Sequence, residues 1–283
     1  MELKPRFLFH GHAVAMGGRI VHPSDLILET SASSALSAAG GRSHSQAGGT
    51  QFGKLAAFES ASTIAQGLFD DLAKAAACAC GNEDEPTHPA TTVVKAQIRG
   101  VSVGVAPQLK IARLNVSMTA RSAGPGGEPP VKVDPETAIE GVSIDGHNLA
   151  VELATAPFQD LDTHAKLLTA VDDPGFARKY GDQFLMQATV AGRARRYAGH
   201  PIRDSRRVYA TIVKSITWTG APYPGAEIDH HTVTIPKFGT IYFGEIILAD
   251  LYRRLSLLRV DLKPDPCGRV MCCDVEDDGT WSF

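Results

Sequence analysis

Two histidines near the start of the chain, His10 and His12, are spaced to act together. On an extended strand, residues i and i+2 point to the same side, so both imidazoles can reach one divalent metal ion. A hydrolytic or oxidative centre needs about three such donors and an open position. The run Asp229-His230-His231 offers a carboxylate and an imidazole from a distant part of the chain, so Asp229 and His230 complete the candidate set. The competing reading is a histidine pair on a solvated strand face, because no local spacing fixes a third donor.

Two further clusters carry chemistry. Cys78 and Cys80, with His88 and Cys267 or the adjacent Cys272 and Cys273, could hold a structural zinc ion. Paired Cys-x-x-Cys knuckles would specify such a site, but Cys-x-Cys and adjacent cysteines do not. Buried thiols or one disulfide are the plainer reading. Arg193, Arg195, Arg196, Arg203, Arg206 and Arg207 form an arginine-rich stretch suited to a phosphate or an acidic partner. Its aromatic interleaving is limited to Tyr197, which argues against a single-strand nucleic-acid surface. Pairing with an acidic surface, within or between subunits, is the plainer use. The sequence has no nucleophile elbow, no phosphate-binding Gly-Lys-Ser/Thr loop and no dinucleotide fingerprint.

The totals narrow the classes. A 283-residue chain with 43% apolar residues can build one large core. A net charge of −3 gives no global pull toward nucleic acid or membrane. No apolar run approaches the length of a membrane-spanning helix. His10 and His12 interrupt any signal-peptide core, so the expectation is a cytoplasmic protein, or one exported without such a signal. Five cysteines without a signal peptide are expected to be reduced. Arginine outnumbers lysine and alanine is abundant, as in proteins of GC-rich bacteria.

The elements that must position these residues read mostly as strands. The densest stretch is 232–262, where Val233 and Ile235 alternate with threonines. A Pro-Lys-Phe-Gly turn and two apolar runs about a reversal at 249–252 follow. β-branched and aromatic residues favour a hairpin here over a helix at 245–260. Leu255 and Leu257, then Leu258, Val260 and Leu262, fall out of phase, which suits a bulge. Residues 91–105 and 108–121 read as two long strands, with Ala112, Leu114, Val116 and Met118 on one face of the second. Asp145-Gly146 supplies the left-handed pair of a tight hairpin between 139–144 and 147–153. The segment 98–103, IRGVSV, is echoed by 139–144, IEGVSI, pointing either to a duplicated unit or to coincidence.

Residues 30–67 are mostly small, which suits close sheet packing and tight turns at Gly40-Gly41 and Gly48-Gly49. A short helix is expected at 68–77. The main helical insert is expected near 162–186, with Asp162 or Thr163 as its cap and a second helix starting at Pro174. Phe176, Tyr180 and Phe184 form that helix's apolar stripe. The tail is expected to hold a short strand at 270–275 and an acidic turn before Trp281.

The fold expectation is therefore a mainly β protein: a large antiparallel sandwich or barrel with a short helical insert. It forms a single β-rich domain over 1–283, with a candidate subdivision at 122–135. The hairpin at 232–262 would close the sheet begun by 7–15 and bring His10 and His12 toward Asp229 and His230. The leading functional expectation is a non-enzymatic binding or self-assembling structural protein that associates with itself. The alternatives are a metal-dependent enzyme with a divalent ion at the histidines, and a pore-former. The last is disfavoured because 30–67 offers few lipid-facing residues beyond Phe52, Leu55 and Phe58.

Overall fold

The computed structural model describes residues 6–23, 25–70, 89–122, 124, 128–171, 173–180, 183–184, 208–249, 252–263 and 265–282. The first part of the chain gives β1 (Arg6–His22), β2 (Leu26–Ala35), β3 (Gly41–Ala47), β4 (Thr50–Phe52), β5 (Ala56–Phe58) and β6 (Ser60–Phe69). Then come β7 (Ala90–Val103), β8 (Leu109–Ser122), β9 (Val131–Val133), β10 (Ala138–Ile144) and β11 (His147–Leu153). Three helices follow: α1 (Pro157–Asp160), α2 (His164–Val171) and α3 (Pro174–Tyr180). The chain ends with β12 (Val208–Thr211), β13 (Val213–Trp218), β14 (Glu227–Asp229), β15 (Thr232–Ile235), β16 (Gly239–Ala249), β17 (Tyr252–Leu262) and β18 (Cys267–Ser282).

Two antiparallel sheets pack against each other, without closing into a barrel. The first runs β14-β15-β16-β17-β18-β1-β2, with β12 added to β16. The second runs β13-β11-β10-β8-β7, continues through β5-β4 and β6-β3, and adds β9 to β8. One buried cluster takes Met16, Leu255 and Val275 from the first sheet and Val94, Ile111 and Leu114 from the second. Burial of such apolar surface is the main force joining the layers. At the periphery, Ser34 and Thr63 bond across the layers at 2.8 Å.

The helical insert starts as its pattern predicts, but α3 ends at Tyr180, before Phe184. Thr163 caps α2 through a bond from the Lys166 amide at 3.2 Å, and α3 begins at Pro174. Phe176 packs on Tyr180 and Phe184 with ring centroids 5.2 and 5.0 Å apart. Phe158 of α1 joins Phe184 at 5.2 Å. The Asp145-Gly146 turn has both residues at positive φ, which builds the β10–β11 hairpin. Near 122–135, β9 folds back and pairs antiparallel with β8.

Several expectations change. The tail is one long strand: β18 pairs with β1 from Arg6↔Ser282 to His22↔Cys267. It also pairs with β17. The 232–262 hairpin therefore does not pair with 7–15, because β18 lies between them. Leu68 and Phe69 end β6 instead of starting a helix, and 71–77 lie outside the described residues. Ala112 is exposed, whereas Ile111 and Leu114 are buried, so the facing of β8 changes phase there.

That phase change crosses the sheet. Gly100 and Gly141 flank Ala112 on β7 and β10, and both have positive φ, 64° and 65°. A Cβ at Gly100 would lie 2.4 Å from Glu59, and one at Gly141 would lie 2.6 Å from the Ala112 Cβ. Only glycine takes this conformation beside such close neighbours without strain. The echoed hexapeptides IRGVSV and IEGVSI are thus the same bend on the two strands flanking β8. The first sheet has a matching row. Gly244, Cys273 and Ala32 have positive φ, and the pairing sets them in line with Leu257 and Ala15. This is why Leu257 and Leu258 are both fully buried while the pairing of β17 stays continuous.

Candidate functional site

The best-built charged cluster stands on the outer face of the first sheet. The reversal after β16 sets Tyr242 opposite Arg259 and Thr240 opposite Asp261, and β18 sets Arg269 opposite Asp261. The bend at Gly244 turns Glu245 to the same face as Tyr242. Arg259 then grips the Glu245 carboxylate with two parallel bonds, Nε to Oε2 and Nη2 to Oε1, each 2.7 Å. Its remaining nitrogen, Nη1, donates to Asp261 at 2.7 Å. Arg269 closes on Asp261 with bonds of 2.7 and 3.3 Å. The Arg259 guanidinium also lies 3.5 Å from the Tyr242 ring centroid.

His231 belongs to the same group. It sits in the β14–β15 turn and is almost fully buried. Its Nε2 is 3.9 Å from Glu245 Oε1, a charge contact longer than a hydrogen bond. Among the described residues, neither ring nitrogen has a hydrogen-bond partner. Burial pushes the Glu245 carboxyl up, but the Arg259 bonds, the neighbouring His231 and their charges outweigh it and hold the group at about 2. Burial opposes the charge on Arg259, yet Glu245 and Asp261 raise its pKa overall. Burial raises the Tyr242 phenol. Glu245 is thus held as an anion by Arg259, and Asp261 is gripped from both sides by Arg259 and Arg269. The arrangement braces three strands and is poorly suited to accepting a proton near neutral pH.

A second brace lies further along the same face. Arg254 grips Asp274 with bonds of 2.9 and 2.7 Å, and Ser256 donates to Asp274 at 2.5 Å. A third ties the helical insert to the first sheet. Arg253, buried at the start of β17, pairs with Glu128. Glu128 in turn accepts the amides of His164, at 2.5 Å, and Ala165, at 3.1 Å, at the start of α2.

The sequence-predicted residues are placed as follows. His10 and His12 share the outer face of β1. The carboxylate near them is Glu276 of β18, 3.9 Å from His10 Nε2, while His12 Nε2 meets the Ser33 hydroxyl at 3.2 Å. Asp229 and His230 are not brought to them. They stand at the β14 end of the sheet, five strand spacings from β1, or about 24 Å at the usual spacing. The insertion of β18 is the cause. Among the described residues, no group of three or more His, Cys, Asp or Glu side chains is placed to hold a metal ion.

Cys272 and Cys273 are buried free thiols and Cys267 is partly exposed. Burial pushes Cys272 up to about 12 and raises Cys273 as well. Cys78, Cys80 and His88 lie outside the described residues, as do all six arginines of the 193–207 cluster. Glu245, Arg259, Asp261 and Arg269 were not anticipated. Pairing across the suggested reversal at 249–252 would have set Tyr242 opposite Arg259 and Thr240 opposite Asp261.

Fold and surface together define a two-sheet antiparallel β-sandwich whose outer charges are used as braces between strands. The chain belongs to the family described as "Domain of unknown function (DUF8256)", whose profile matches residues 7–249. The match ends with β16, so Arg259, Asp261 and Arg269 lie beyond it. No curated protein and no solved structure matches the chain. Among the described residues, no helix is long and apolar enough to cross a membrane.

Proposed function

We propose that this is a non-enzymatic, self-assembling β-sandwich, a structural or binding module that works by association. The observation that carries this reading is the difference between the two lateral sides of the sandwich. On one side the chain passes directly between the layers: β12 pairs with β16, and β13 pairs with β11. Ile212 between them bonds to both layers, donating to Gly244 O at 2.9 Å and accepting from the Ala154 amide at 2.7 Å. On the other side the chain also crosses, over 36–40, but there β2 and β3 are each paired along one edge only among the described residues. Neither strand contains proline or lysine, two of the usual protections of an exposed edge. Open backbone edges of this kind accept a further strand. The arginine-locked carboxylates of the outer face fit a structural use of charge.

The test is size-exclusion chromatography with light scattering on the full chain over a wide concentration range. The expected result is a discrete oligomer, and a monomer at every concentration would overturn the reading.

A further inference from the structure

This inference rests on the self-assembly reading and adds a site, a partner and a register. We propose that β3 of one copy pairs antiparallel with β3 of a second copy across a two-fold axis at His44. The pairing makes the second sheet continuous between subunits.

Four features carry it. First, β3 is laddered to β6 without interruption, from Gly41↔Gly67 to Ala47↔Ala61, and among the described residues it has no strand on its other side. Second, β3 buries none of its seven residues. Such a strand gains almost nothing from apolar burial and depends on its backbone ladder. A second ladder supplies what the core does not. Third, nothing crowds the sheet face at the ends of the strand: a Cβ at Gly41, or at Gly48 just beyond its end, would meet nothing within 4 Å.

Fourth, the strand is complementary to itself. Its sequence is GRSHSQA, with Arg42 its one permanent charge. Antiparallel pairing about His44 sets Arg42 opposite Gln46 of the second copy, whose carbonyl can accept from the guanidinium. It sets Ser43 opposite Ser45 and leaves no permanent like charges facing each other. A two-fold contact of this kind uses one patch twice and closes at a dimer. The other edges fit less well. β14 has three residues, and β13 runs into the loop where His147 packs on Trp218 and Tyr223. The β2 edge carries Glu29, whose register opposite a second copy nothing fixes.

The test places charge on the axis. His44 is exposed, so His44→Glu and His44→Lys should both fold, which far-ultraviolet circular dichroism checks. Each variant alone puts two like charges directly opposite, and its dimer dissociation constant should rise at least tenfold over wild type. An equimolar mixture should restore the dimer, because Glu then faces Lys. If wild type is oligomeric and both variants remain so, the His44 register is overturned while self-assembly stands. If the variants dissociate and the mixture does not recover, the two-fold register is overturned. If wild type is a monomer throughout, the inference and the reading beneath it both fall.

Discussion

Arg259 offers the sharpest test of how the first sheet is held together. Replacing it with glutamine removes both bonds to Glu245, the bond to Asp261 and the contact with the Tyr242 ring. Asp261 keeps Arg269, but among the described residues Glu245 keeps only His231 at 3.9 Å. In the intact protein Glu245 is held at about 2 against an ordinary value of 4.5. At about 1.4 kcal/mol per unit, that difference is worth roughly 3 kcal/mol of stability at neutral pH. Removing one partner of a buried pair typically costs about 3–5 kcal/mol, which agrees. The sign follows from the lowered value. The contribution is complete above the unfolded value of 4.5 and is lost as pH falls toward 2.

Urea unfolding of wild type and Arg259→Gln at several pH values between 7 and 2 reads this out. The variant should be less stable by about 3 kcal/mol at pH 7, and the gap should narrow steadily below pH 4.5. Other carboxylates lowered in the fold, such as Glu136 beside Lys95, titrate in both proteins and cancel in the difference. Adding Glu245→Gln should recover part of the loss, because no buried charge is then left alone. A loss below about 1 kcal/mol at pH 7, or a gap that does not change with pH, would refute the brace.

Two further outcomes follow from the same geometry. Glu128→Ala leaves Arg253 without its carboxylate and the first amides of α2 without their acceptor. Stability should fall by about 3 kcal/mol, and native-state hydrogen exchange at His164 and Ala165 should accelerate; unchanged exchange there would disprove the tether. Gly100→Ala and Gly141→Ala each force a Cβ into a positive-φ position beside a close neighbour. Each should cost about 1–3 kcal/mol in urea unfolding, while Gly48→Ala, in open space, should cost less than about 1 kcal/mol. Equal effects at all three would mean that the bend is not held by glycine.

Local rules made much of the architecture readable. The 139–153 hairpin follows from Asp145-Gly146, the 232–262 region from its apolar alternation, and the second helix from Pro174 and its aromatic stripe. Each depends on residues close in sequence, where period and turn chemistry act directly. The tail depends on distant partners, so its local pattern does not show the single long strand it forms. Its acidic residues resemble a turn, yet Asp274 is answered by Arg254 and Ser256, and Glu276 approaches His10. Once those partners exist, an acidic segment can run as a strand in the middle of a sheet. The misplaced metal set has the same cause. His10 and His12 do share a face, as strand spacing requires, but local spacing cannot order strands across a sheet. β18 therefore intervenes unseen between β17 and β1.

The phase slip in β17 shows how one local irregularity becomes a property of the whole fold. Alone, Leu257 and Leu258 suggest a bulge in one strand. A bulge would shift the register on one side, yet β17 pairs evenly with both β16 and β18. The neighbours bend in step instead: Gly244 on one side, Cys273 on the other, and Ala32 two strands further on, all at positive φ. The second sheet repeats the device at Gly100 and Gly141. Non-glycine residues at positive φ cost about 1–2 kcal/mol each, so Cys273 and Ala32 hold their conformation only because the surrounding ladder imposes it. The same bend turns Glu245 outward beside Tyr242, where Arg259 reaches both. The bend and the charged brace are therefore one construction: the backbone change at Gly244 presents the carboxylate, and the arginine across the hairpin fixes it in place.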